Sequence, residues 1–131
     1  MSLINKRLNL LEGSVLELFN ANTSTLLESM KNGAAGFSGV MANFHPWLYT
    51  WLAVNWENEP VKSELLQSVL TICSLIEKQL YPVNAKYHLQ HIGLPVTTYT
   101  RSKNKNDLTP VFMDEVRQMD RLAEWVKTTL I

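Results

Sequence analysis

A single cysteine, Cys73, stands among 131 residues, so no intrachain disulfide can form and the fold must be held by packing alone. It sits inside the apolar rhythm of "LLQSVLTICSLIEKQL", the place of a small hydrophobe on a helix face. An excess of one charge is missing too. Twelve Lys and Arg balance twelve Asp and Glu, which removes any net field toward phosphate backbones or acidic lipid. Neither nucleic acid nor a membrane is an expected partner. The densest basic stretch, "RSKNKND" from Arg101, interleaves its charges with Asn and Ser as a solvated loop does. No apolar run approaches about 18 residues, and no basic start leads into an apolar signal segment, so the expected location is the cytoplasm. Long Ser, Gly or Pro tracts and internal repeats are absent as well. With 46% hydrophobic residues the chain has material for one packed domain and is too short for two of ordinary size. The opening Met1-Ser2-Leu3 reads equally as a native start or as an added one.

What is present is mostly helical. "LINKRLNLL" places Leu3, Ile4, Leu8 and Leu11 at helical spacing and meets Gly13, which predicts a helix ending near Glu12. "SVLELF" then reads as a short buried strand. Thr25 and Glu28 have the spacing of a capping box, predicting a helix to about Lys31, closed by Asn32-Gly33. "AAGFSGVMAN" reads as a second strand, which completes a βαβ unit with parallel strands. Proline opens each of three later helices: one from Pro46 with Trp47 and Trp51 a turn apart, one from Pro60 to about Leu80, one from Pro110. The second carries Leu65, Val69, Ile72, Cys73, Ile76 and Leu80 on one face. In the third, Thr109 is the cap and Val116, Met119, Ala123 and Val126 form the buried stripe. A shorter helix runs through "NAKYHLQHIG" to Gly93.

Two apolar parallel strands are too few, because parallel sheets are buried on both faces and need covered edges. The shortage implies the tail of a larger βα architecture or assembly with another chain. If the strands belong to a βα-barrel, their C-terminal ends carry Asn20, Ala21 and Asn22 after the first and Asn43, Phe44 and His45 after the second. Function collects at that face of such folds.

"NGAAGFSGVMANFHP" resembles the eighth strand and following loop of the dihydrodipicolinate synthase and N-acetylneuraminate lyase family, the class I Schiff-base aldolases. "VLELFNANTSTLLESM" is similar to that family's seventh strand and its turn, and "LYPVNAKYHLQHIGLP" to its C-terminal segment. The resemblance implies an α/β chain, helix-rich, forming the C-terminal portion of a TIM (βα)₈ barrel: strands seven and eight within residues 1–57 and a helical extension over 58–131. It implies a homo-oligomer, a 2-oxo acid substrate such as pyruvate, no cofactor, and a Schiff-base lysine on the sixth strand that attacks the carbonyl. That lysine is expected upstream of residue 15, outside this chain, so the isolated chain should be inactive and contains no catalytic residue of its own. By the same resemblance Ser38 and Gly39 face the 2-oxo acid, and Ala21 and Asn22 fall at the turn that contacts substrate hydroxyls. There this sequence departs from the pattern, with Ala21 for the family's glycine and Asn22 and Thr23 for its acids.

Plainer readings stand beside these. Lys86 lies on a helix past the barrel and reads as a structural lysine. His88 and His91, three apart on a helix, lack a Cys, Asp or Glu nearby in sequence to complete a metal site and read as packing or surface residues. For His45 a loop-fixing hydrogen bond competes with an active-site role, and Asn43 reads foremost as a turn residue. The expected function is therefore the C-terminal part of a pyruvate-type lyase or aldolase. The alternative is a non-catalytic α/β module for oligomerisation or interaction.

Overall fold

The computed structural model describes residues 3–131, so Met1 and Ser2 of the opening tripeptide lie outside the described residues. The chain begins with α1 (Leu3–Leu10), none of whose residues is buried, and turns at Gly13, whose φ of 79° suits a residue without a Cβ. β1 (Phe19–Asn20) and β2 (Gly36–Phe37) pair in parallel with Phe19 opposite Gly36 and Asn20 opposite Phe37. Backbone bonds from Ala35 N–H to the Leu18 carbonyl (2.8 Å) and from Ser38 N–H to the Asn20 carbonyl (2.9 Å) extend the contact at both ends.

Both strands are shorter than their apolar runs. Val15 and Leu16 stay exposed before β1, and β2 gives way after Phe37 to a 3₁₀ turn over Val40–Asn43. A parallel strand is stabilised by neighbours on both edges, and among the described residues each strand has one partner. The helix between them also starts differently from its sequence signature. Asn22, not Thr25, does the capping: its side chain accepts from Ser24 N–H (2.9 Å) and opens a 3₁₀ turn, Thr23–Thr25, that leads into α2 (Leu26–Lys31). The Thr25 hydroxyl is engaged instead by Asn20, so no capping box forms.

The remaining helices are α3 (Pro46–Asn55), α4 (Pro60–Cys73), α5 (Val83–His91) and α6 (Pro110–Thr129). Each proline sits where the missing N–H costs nothing, at Pro46, Pro60 and Pro110. α4 lies across α2, its leading 3₁₀ turn and α3, and Gln67 fastens it there: its Oε1 accepts from Leu27 N–H (2.9 Å) and its Nε2 donates to the Thr23 carbonyl (2.8 Å). The regular helix stops at Cys73 and tightens to a 3₁₀ turn over Ser74–Lys78, short of the expected end near Leu80. Its packed face is Ser63, Leu66, Leu70 and Cys73, while Leu65 and Ile72 point to solvent. α4 is apolar on two faces, and contact with α2 and α3 selects between them.

α6 follows its sequence pattern closely. The Thr109 hydroxyl accepts from Phe112 N–H (3.2 Å), and Val116, Met119, Ala123 and Val126 are buried against the rest of the core. α5 packs along it and ends at His91, two residues before Gly93, where φ is 96°. The architecture is a small βαβ unit with a two-stranded parallel sheet, covered by a larger helical layer.

Candidate functional site

The C-terminal ends of β1 and β2 open into one cleft of about 460 Å³, lined among others by Ala21, Phe37, Ser38, Gly39, Asn43 and Tyr81. Ser38 follows β2 directly, with its N–H tied to β1. Gly39 has extended backbone, and its need is space: a Cβ there would stand 2.6 Å from the Ala21 carbonyl oxygen and overlap the Phe37 ring. That ring is stacked on Tyr49, centroids 4.3 Å apart, so the cleft floor is packed rather than adaptable. Asn43 donates from Nδ2 to the Val40 carbonyl (2.8 Å) and shapes the turn that forms one wall. The opposite rim, Tyr81, comes from the helical layer.

Asn22 borders a second cleft of about 460 Å³ that shares Ala21 with the first and is lined also by Thr23, Ser24, Ser74, Glu77 and Lys78. Burial raises the Glu77 carboxyl above its ordinary range. The two clefts together offer hydroxyls, an amide and a carboxyl around the strand ends, suited to holding a small polar substrate. Among the described residues Lys78 is the one amine that lines these clefts. A larger hollow, about 510 Å³, lies at the other end of the strands beside α1 and holds just two titratable side chains, Glu12 and Glu17.

Two of the expected strand-end residues face elsewhere. Asn20 is 4% exposed; its Nδ2 donates to the Thr25 and Ser29 hydroxyls (both 3.0 Å), and its Oδ1 accepts from Asn22 N–H (2.8 Å). It builds the turn and does not line the strand-end cleft. His45 is 3% exposed and directed into the helical layer, where its Nε2 lies 3.8 Å from Asp120 Oδ1 on α6. The same carboxylate oxygen is 2.9 Å from His88 Nδ1 on α5. Burial drives the His45 imidazole down to about 4, against the opposing pull of the Asp120 carboxylate, and His88 adds to the lowering. Burial likewise pushes the Cys73 thiol up to about 11, so it is an inert core residue.

Of the other basic side chains considered, Lys86 donates to the Tyr99 carbonyl (2.5 Å), and His91 stacks on the Tyr87 ring, centroids 6.1 Å apart. No group of three His, Cys, Asp or Glu among the described residues is arranged to hold a metal ion. Sequence reasoning missed Asp120, Tyr81 and Glu77. For Asp120 there was a signal: it falls on the apolar stripe of α6, one residue after Met119 and three before Ala123, where a carboxylate needs a buried partner. Tyr81 and Glu77 lie in an irregular segment whose path no periodicity reveals.

A family model described as the dihydrodipicolinate synthetase family matches residues 2–124 of the chain. No curated protein and no solved structure matches it.

Proposed function

The chain belongs to the dihydrodipicolinate synthetase family, and from that membership we propose that it supplies the last two βα units of a Schiff-base lyase barrel, with its helical extension. Enzymes of this family use no added cofactor, the reactive carbonyl being held on a lysine. The observation that carries the reading is the cleft of Ala21, Ser38, Gly39 and Asn43 at the C-terminal ends of two parallel strands. Active sites of (βα)₈ barrels collect at that face.

In this reading the chain contributes a wall. The backbone around Ser38 and Gly39 faces the carboxylate and oxo group of a pyruvate-like substrate, and the missing Cβ of Gly39 lets that backbone pack against the Ala21 carbonyl and the Phe37 ring. Asn22, Ser24 and Glu77 face the hydroxyl-bearing part of the second reactant. The turn Ala21-Asn22-Thr23 carries no carboxylate of its own, so recognition there runs through amide and hydroxyl groups and the neighbouring Glu77. The nucleophile comes from a strand that pairs with β1 on its open edge, next to the exposed Val15, Leu16 and Phe19. The coding sequence tests this: an in-frame segment upstream of Met1 must carry a lysine on a predicted strand. An in-frame stop there, with no such segment, contradicts it.

A second reading, a non-catalytic oligomerisation module, draws support from the outer face of α4 and the turn after it. Val61, Leu65, Ile72 and Leu75 are all more than half exposed there, at helical spacing. It requires a defined oligomer of the chain in solution, and a monodisperse monomer by light scattering contradicts it.

A further inference from the structure

Two buried imidazoles and a carboxylate whose side chain is 17% exposed meet where the turn under the cleft joins the helical layer. His45 is the residue just before α3, two positions after Asn43 on the cleft wall. His88 comes from α5, the helix that begins two residues after Tyr81 on the opposite rim. Asp120 comes from α6. The two imidazole rings stand 5.6 Å apart, nearly perpendicular, and both approach the same carboxylate oxygen at 3.8 and 2.9 Å. His45 Nε2, His88 Nε2 and Asp120 Oδ2 are buried without a hydrogen-bond partner among the described residues. A buried polar group left in that state is costly.

We propose that His45, His88 and Asp120 form a pH-sensitive clasp, through which the helical layer positions both walls of the strand-end cleft and which acid releases. With His45 neutral, α3, α5 and α6 close around the three side chains. A proton on His45 places a charge in a site that water does not reach. The relief is for α6 to swing off and let the imidazolium hydrate, which frees the Asn43 turn on one side and the Tyr81 rim on the other.

Among the described residues the surroundings leave His45 no ion other than Asp120 to pair with. α5 presents His88, α6 presents Asp120, and α4 presents Cys73, on whose thiol the Asp120 carboxylate acts. α3 presents the Trp47 ring, edge-on at 6.1 Å, and the Lys127 ammonium of α6 lies 5.0 Å from the centroid of that same ring. Arg117 is turned toward Asp114 and the Tyr87 hydroxyl. The inference holds whether or not the cleft binds a 2-oxo acid, since it concerns what fixes the cleft walls.

The sign of the effect follows from the unfolded chain binding a proton to His45 more tightly than the folded one. Stability is full above the ordinary imidazole value of 6.5 and is lost as pH falls toward about 4. The experiment combines three measurements on the full chain: ring-proton NMR titration of the histidines, urea unfolding between pH 7.5 and 4.5, and amide hydrogen exchange. The expected result is one histidine resonance, absent in His45→Gln, that titrates well below a free imidazole. The folded-to-unfolded ratio of the wild type should fall on the order of a hundredfold more across the window than that of His45→Gln. Amides of α6 should lose protection before those of α2. A wild-type slope retained in His45→Gln, or α6 protection unchanged by acid once intrinsic rates are allowed for, overturns the proposal. If His45→Gln fails to fold, His88→Gln and His91→Gln assign the resonance by elimination among the three histidines, and the wild-type titration and exchange decide alone.

Discussion

Gly39 is the tightest position at the strand ends, and its tightness is against atoms that cannot yield. The Ala21 carbonyl is backbone, and the Phe37 ring is held by its stack on Tyr49. Gly39→Ala should therefore destabilise the protein by about 1–3 kcal/mol, read as a lowered urea midpoint with unchanged slope. A midpoint within error of wild type would mean that the cleft floor adapts. The family resemblance pointed to Ser38, Gly39 and Ala21 and the strand-end position to Asn43, and these four residues line one cleft. Asn20 and His45 show where single residues mislead. A position at the end of a strand says which end of the sheet a residue occupies; it does not say whether the side chain turns outward to the cleft or inward to satisfy buried donors. Asn20 turns inward because the hydroxyls of Thr25 and Ser29 lie beneath it.

At the scale of elements, local signals worked where one helix face was distinctly apolar and failed where two were. α6 has a hydroxyl cap, a proline in its first turn and one stripe, and each appears as the sequence predicts. Thr109→Ala should cost about 1 kcal/mol, measured by thermal or urea unfolding, because Phe112 N–H loses its acceptor. A neutral outcome would show that water caps the helix as well as the hydroxyl does. α4 offered two faces, and its buried one is chosen by the Gln67 bonds to the Thr23 carbonyl and Leu27 N–H, a tertiary fact with no periodic trace. The strands were legible as apolar runs but their lengths were not, since length depends on how many neighbours each edge has.

For the whole molecule, the imbalance visible in composition and pattern survives in three dimensions. A two-stranded parallel sheet packs against α2 and α3, while Val15, Leu16 and Phe19 remain exposed near the edge of β1. Among the residues lining the strand-end clefts there is hydroxyl, amide and carboxyl chemistry and a single exposed amine, Lys78. The proposed function takes a Schiff-base lysine from family membership and assigns the strand-end cleft as one wall of its site. The most direct measurement is therefore covalent trapping: incubate with pyruvate, reduce with borohydride, and weigh the intact protein. On the proposed function the 131-residue chain keeps its mass, and a longer product of its reading frame gains one reduced pyruvate adduct, an N-(1-carboxyethyl) group, on a lysine outside it. A stable adduct mapped to Lys78, Lys86 or any other lysine of this chain would contradict it.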